Sequence, residues 1–216
     1  MRVLKFAYVD YVKTSRYNYL LLMFPLIALA MLLASESASA PFGVAYCLFA
    51  GIVLAAFPYN MTSESERGFL QMLPAKPGEA VLGHYLFGLL MILAAFLSGV
   101  AAILIARLIS PDMGLLRIGE RDISGAYPAL LGASLLFAGV QDLLLTALRL
   151  ENAHLAHLLR IVPAFVFFFG VNAGIDSVKE MPDLTIGPGL AVLGICLALY
   201  VLLAVISRAV SVRRGD

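Results

Sequence analysis

Val81-Leu-Gly-His-Tyr-Leu-Phe-Gly-Leu-Leu-Met-Ile-Leu-Ala-Ala-Phe-Leu-Ser-Gly-Val-Ala-Ala-Ile-Leu-Ile-Ala-Arg-Leu-Ile109 carries a single fixed charge, Arg107, close to its end. About 20 apolar residues in a helix cross the hydrocarbon core of a bilayer, so this run is long enough to span with a turn or two to spare. Apolar and polar residues do not alternate along it, which excludes a barrel strand. A helix then remains as the way to satisfy every backbone group in lipid. The same Leu, Ala, Val, Phe and Gly-rich composition recurs before it over Tyr17 to Ala34 and Pro41 to Pro58. It recurs after it over Ser124 to Leu148, Leu155 to Ile175 and Ile186 to Ile206. The expected fold is an all-α integral membrane protein of six transmembrane helices, in one transmembrane domain covering residues 1–216.

Composition agrees. Of 216 residues, 62% are hydrophobic and 13% charged, against about 25% charged in soluble domains, and the mean hydropathy is +0.94. Six spans take about 120 residues, leaving short connections and no room for a second soluble domain. A net charge of +1 gives no indication of nucleic-acid binding. Cys47 and Cys196 lie inside apolar runs and read as small buried apolar residues rather than a disulfide or metal pair. Ala38-Ser39-Ala40 resembles a signal-cleavage box, but the apolar run before it is longer than the 7–15 residues of a signal h-region. Pro41 would also follow the cut directly, so the first run reads as a retained span.

Basic residues near span ends set the orientation. Arg2, Lys5, Lys13, Arg16, Arg67, Lys76, Arg149, Arg160, Arg208, Arg213 and Arg214 fall on one side, 11 of the 15 Lys and Arg residues. Arg107, Arg117, Arg121 and Lys179 fall on the other, where Asp112, Glu120 and Asp122 offset the Arg117/Arg121 loop. Both termini are therefore expected in the cytoplasm, with the protein multi-pass in the plasma membrane.

Two segments outside the spans stand out. Over residues 1–16, helical spacing of about 100° per residue places Arg2, Lys5, Lys13 and Arg16 on one narrow face. Leu4, Phe6, Tyr8, Tyr11 and Val12 populate the rest, with Asp10 off to one side. Basic side chains toward lipid headgroups and aromatics in the interface describe a helix lying on the membrane surface; a charged lead-in that only fixes topology is the plainer alternative. The second segment, Thr62-Ser-Glu-Ser-Glu-Arg-Gly-Phe-Leu-Gln-Met-Leu-Pro74, joins spans two and three. Ser63-x-x-Glu66 has the form of a capping box, and Glu64 and Glu66 suit the positive end of a helix dipole. Phe69, Leu70, Met72 and Leu73 follow as an apolar patch, and Pro74 ends the helix. The prediction over 63–74 is a short surface helix, acidic at one end and apolar at the other. An ordinary cytosolic turn is the alternative on composition alone.

Glu66-Arg67-Gly68, Leu70, Leu73-Pro74, Lys76 and then Val81-Leu82-Gly83-His84-Tyr85-Leu86 resemble the corresponding loop of the membrane-spanning permease subunits of type-two ABC exporters. Six spans, cytoplasmic termini, an initial surface helix and little soluble mass extend the resemblance over the whole chain. Ala75 and Pro77 depart from the usual Ser-Arg pattern, and His84 stands where a Lys is common. The resemblance implies that 63–74 is a coupling helix docking on a separate ATPase subunit through Glu64, Glu66, Arg67, Phe69, Leu70, Leu73 and Pro74. It further implies a pair of permease chains, identical or different, exporting a peptide, lipid or hydrophobic compound. No Gly-x-x-x-x-Gly-Lys-Ser/Thr phosphate loop is present, so ATP and Mg are expected on the partner, with no cofactor and no catalytic residue in this chain.

The remaining polar residues carry weaker signals. Gln141 and Asp142, in the fourth run, and Asn172 and Asp176, near the outer end of the fifth, are candidates to line a translocation path, because an ionisable group in lipid is costly. Pairing of Asp142 with Arg149 or Arg160 is the structural alternative. Gly170-x-x-x-Gly174 permits close helix contact. Glu151, His154 and His157 fall loosely on one helix face but lack a fuller ligand set, so no metal site is expected. Two other function classes remain. An intramembrane enzyme such as a protease needs a convergent catalytic set that three histidines hardly supply. An ion-driven carrier needs broken, polar mid-spans, whereas the middles of spans one, two, three and six are almost wholly apolar; a scaffold without a motor needs neither.

Overall fold

The computed structural model describes residues 2–34, 40–60, 78–111, 117–118, 121–148, 153–178 and 183–214. Helix α1 covers Arg2–Thr14, and a short 3-10 turn over Ser15–Tyr17 leads to α2, Leu20–Ala34. Then follow α3 (Ala40–Ala55), a second 3-10 turn over Phe57–Asn60, and α4 (Glu79–Ile109). After α4 a two-residue antiparallel pair joins β1 (Arg117–Ile118) to β2 (Arg121–Asp122). Helices α5 (Ala126–Leu148), α6 (Ala153–Val178) and α7 (Ile186–Arg214) complete the chain.

The protein is thus all-α apart from that small ribbon. Three helices, α4, α5 and α7, are long and apolar enough to cross a membrane, and α1 with α2 make a fourth if the bent pair is one span. Helix α3 and the apolar part of α6, Ile161–Gly174, are shorter. Six apolar helices coincide with the six apolar runs, but length and composition establish three to four spans among the described residues rather than six. Bounds differ at several places. The first apolar helix begins at Leu20, not Tyr17, and α7 runs on to Arg214 instead of stopping at Ile206.

Helix α3 is the centre of the bundle. It is apolar on all sides, the pattern of a helix enclosed by others, and Val44, Leu48, Ile52 and Leu54 are fully buried. It packs against α2, α4, α5 and α6. Its crossing with α4 is set by glycines. A Cβ on Gly51 would stand 2.8 Å from the Ala95 Cβ, and one on Gly99 3.2 Å from the Val44 Cα, so these two backbones approach as far as hydrogen allows. The outer surfaces of α2, α6 and α7 carry rows of exposed Leu, Ile, Val and Phe. On a soluble protein such area would be an anomaly; here it is the surface that faces lipid.

Helices α1 and α2 meet at 54°. The bend has a local cause: Thr14 Oγ1 donates to the Asp10 carbonyl at 2.9 Å and Ser15 Oγ to the Val12 carbonyl at 2.7 Å. Hydroxyls that bond back to the preceding turn distort a helix there, and the chain passes into the 3-10 turn before α2. At the opposite end of the bundle, Gly125 N–H donates to the Leu184 carbonyl at 2.8 Å and Leu184 N–H to the Asp122 carbonyl at 2.9 Å. These bonds clip the segment before α5 to the segment before α7.

Candidate functional site

At one end of the bundle, α1, the start of α4, the second half of α5 and the last turns of α7 come together around buried polar groups. Helix α1 has three sectors at 100° per residue. Leu4, Tyr8, Tyr11 and Val12 form an exposed apolar face; Arg2, Lys5, Lys13 and Arg16 form a basic edge with Val9 among them; Phe6, Ala7, Asp10 and Thr14 are buried. The apolar and basic sectors accord with a helix at a membrane surface. The third sector was not expected. Asp10 does not stand aside: it is 2% exposed and turned into the protein.

Its partner is on α4. His84 Nδ1 lies 2.5 Å from Asp10 Oδ2, so the ring nitrogen donates to the carboxylate across a helix–helix contact. Gly83 makes the approach available: a Cβ there would collide with the Phe6 Cβ. Nearer the start of both helices, exposed Arg2 and half-buried Glu79 stand 3.9 Å apart. Helix α4 itself begins at Gly78, whose φ of 81° lies in the left-handed region that side chains disfavour. Gly78 packs against Arg208 and Val212 of α7.

Tyr85, next to His84 and about 100° around the helix, faces the other way. Its hydroxyl donates to the Gly139 carbonyl of α5 at 2.9 Å and lies 2.7 Å from Ser207 Oγ of α7. Tyr200 of α7 donates to the Tyr85 carbonyl at 2.6 Å, with the two rings 5.3 Å apart. One turn of α4 therefore holds α1 on one side and α5 with α7 on the other. An apolar cluster of Ala7, Leu54, Phe87 and Met91, joined by Tyr17 and Phe57 stacked at 4.6 Å, fills the space between α1, α3 and α4.

The expected translocation-path residues separate. Gln141 and Asp142 are 1% exposed and belong to this end of the bundle. The Asp142 carboxylate makes no hydrogen bond to any described residue, and the side chain of Arg160, one of its expected partners, lies outside the description. Arg149 lies outside the described residues. Asn172, in the far half of α6, donates to the Phe168 carbonyl of its own helix at 3.0 Å and reaches no neighbouring polar group there. Asp176 is helical in backbone, and its side chain lies outside the description. The whole predicted surface helix, with Glu64, Glu66, Arg67, Phe69, Leu70, Leu73 and Pro74, lies outside the described residues. So do Glu151 and the side chains of His154 and His157. Gly170 and Gly174 touch nothing within 4 Å and face outward. Cys47 and Cys196 are buried and unbonded to each other.

Sequence reading missed Asp10, His84, Tyr85, Tyr200 and Ser207. A signal existed for the first two: Phe6, Ala7, Asp10 and Thr14 recur at helical spacing, and His84 occupies a position described above as commonly basic.

Comparison with known proteins follows the same direction. The family model described as ABC-2 family transporter protein matches residues 9–214, nearly the whole chain. No curated protein and no solved structure matches.

Proposed function

Because this chain belongs to the ABC-2 family of transporter proteins, we propose that it is the permease subunit that a separate ATP-hydrolysing subunit drives. The site with polar contacts across α1, α4, α5 and α7 lies at the cytoplasmic end, where the basic residues of α1 and Arg208 and Arg213 of α7 gather. Both termini are then cytoplasmic, the six apolar helices are six spans of the plasma membrane, and residues 63–74 form the coupling helix. Glu64, Glu66, Arg67, Phe69, Leu70, Leu73 and Pro74 contact the ATPase. ATP and Mg bind that partner, and this chain performs no catalysis. Two permease chains, identical or different, pair with two ATPases and export a peptide, a lipid or a hydrophobic compound.

One observation carries the mechanical part of this reading: α4 starts at Gly78, immediately beyond the coupling segment, and within two turns is bonded to α1, α5 and α7. Closure of the ATPases on nucleotide displaces residues 63–74, and the displacement enters α4 at its first turn. The Asp10–His84 and Tyr85–Ser207 contacts pass it to the helices on either side. The basic edge of α1, Arg2, Lys5, Lys13 and Arg16, rests on headgroup phosphates and holds the moving end at the membrane surface.

The test is co-purification with the ATPase of the complex. Charge reversal at Glu66 combined with Leu70→Asp should abolish the complex and the stimulation of ATP hydrolysis by the permease. Retention of both in that variant would remove the coupling assignment.

A further inference from the structure

We propose that the Asp142 carboxylate is a binding site for one small positive charge, a proton or an alkali cation, enclosed where α1, α3, α4, α5 and α7 converge. The argument begins with what surrounds it. Asp142 is 1% exposed, and both carboxylate oxygens lack a hydrogen-bond partner among the described residues. Its Oδ2 faces the Gly88 backbone of α4, where an added Cβ would stand 3.6 Å from it, 3.2 Å from Tyr200 Oη and 3.5 Å from the Ala55 Cβ of α3. Gly88 thus lets a carboxylate oxygen, a phenol oxygen and a methyl group close on the α4 backbone at a point where even a Cβ would touch all three.

The neighbouring donors are engaged elsewhere. The Tyr200 hydroxyl is 2.6 Å from the Tyr85 carbonyl it donates to, and the Tyr85 hydroxyl bonds to the Gly139 carbonyl and Ser207. The charged group that acts on Asp142 from α1 is Asp10, which has the same sign. His84 of α4 is committed to Asp10 at 2.5 Å. Helix α3 presents Ala55, α7 presents Tyr200, and Gln141 is the polar neighbour on α5 itself. Two buried carboxylates, Asp10 and Asp142, therefore share this end of the bundle, and His84 bonds to Asp10. A buried charge without a counter-charge costs several kcal/mol even after relaxation, and in a membrane protein such groups pair or mark a pathway. Among the described residues no three His, Cys, Asp or Glu side chains converge as metal ligands, so the complement is a single small charge rather than a chelated divalent ion. A positive charge held on the carboxylate neutralises it where it abuts Gly88 and Tyr200, and so affects the same contacts that hold α4 to α5 and α7.

The experiment needs only the full-length chain in detergent, so it stands or falls separately from the ATPase assignment. Apparent melting temperature is measured for the wild type and Asp142→Asn in buffers of a bulky organic cation, from mildly acid to mildly alkaline. The series is repeated with sodium or potassium at equal ionic strength. Asp142→Asn keeps the shape of the side chain and loses the charge. The expected result is a gap between wild type and variant that narrows or inverts as the small cation is added. Narrowing with acid alone identifies the proton, and narrowing with sodium or potassium at fixed pH identifies an alkali cation. Parallel curves under every condition would overturn the proposal. Should Asp142→Asn fail to accumulate, Asp142→Glu replaces it: the charge is kept but displaced by one methylene, so the cation dependence must persist with a moved midpoint. A curve superimposable on the wild type would equally refute the site.

Discussion

Removal of one member of the Asp10–His84 pair tests whether α1 is held to α4 as described, and the two single changes should not be equal. The Asp10 side chain is 3% exposed and the His84 side chain 19% exposed. His84→Ala leaves a carboxylate stranded in the protein, and breaking a buried pair from one side costs about 3–5 kcal/mol. Asp10→Ala leaves an imidazole that already reaches solvent; its loss is that of one hydrogen bond to a charged group, about 1.5–3 kcal/mol. With both replaced, neither group is stranded, so the double change should cost less than the sum of the singles, with a coupling energy of about 2 kcal/mol for residues in direct contact. The measurement is a double-mutant cycle on apparent unfolding free energies of the detergent-solubilised chain. For a chain of this length each kcal/mol moves the melting temperature by about 2–4 °C, so the difference between the single variants is resolvable. Additivity within about 0.5 kcal/mol, or Asp10→Ala costing more than His84→Ala, would refute the pairing and the burial on which it rests.

Two further outcomes follow from the packing. Gly83→Leu should drive α1 off α4, because even a Cβ there meets Phe6; a cysteine placed at buried Ala7 should then react with a polar maleimide many times faster. Gly170→Leu, at a position with nothing within 4 Å, should leave that rate unchanged. Tyr200→Phe keeps the ring and loses the 2.6 Å bond to the Tyr85 carbonyl, an expected cost of about 1 kcal/mol. Tyr200→Ala removes the buried ring as well and should approach the 3–5 kcal/mol typical of large aromatic deletions, both read by thermal unfolding.

The apolar helices were legible because length and composition alone decide them in lipid, where no other backbone arrangement satisfies its hydrogen bonds. Their ends were less so. Helix α7 continues past Ile206 because Ser207 and Ser211 are buried against the bundle, and polarity in the sequence did not reveal that these positions are enclosed. Helix α1 was read as two sectors when it has three. A lone Asp among basic and aromatic residues resembles solvent exposure until the neighbouring helix is placed beside it. Nor does local spacing report contacts between Asp10 and His84, 74 positions apart, or Tyr85 and Ser207, 122 apart. Residues 63–74 lie outside the described residues, so their reading as a coupling helix rests on motif and resemblance and stands as a proposal. Among the predicted path residues, Asp142 is buried, but its surroundings of Gly88, Ala55 and Tyr200 come from three other helices and leave no trace in its own.

The placement of His84 and Tyr85 on successive positions of α4 has a mechanical consequence. Apolar contacts along a lipid-facing helix tolerate sliding, since one methyl replaces another at little cost. The polar contacts at this end do not, because a buried donor moved out of reach of its acceptors loses about 1–3 kcal/mol. Helix α4 cannot shift alone at this level: it carries α1 through Asp10, and α5 and α7 through Gly139 and Ser207. Helix α1 continues into α2 through the 3-10 turn at Ser15–Tyr17, so its displacement is passed on to the first apolar helix as well. Helix α6 packs on α3 and α5, one step removed. On the proposed coupling, a push delivered just before Gly78 would move α1, α2, α4, α5 and α7 together about the central α3, and the compliance needed for an opening would lie at contacts with no polar lock. Gly51 against Ala95, and Gly99 against Val44 and Cys47, where α3 and α4 cross, are such contacts.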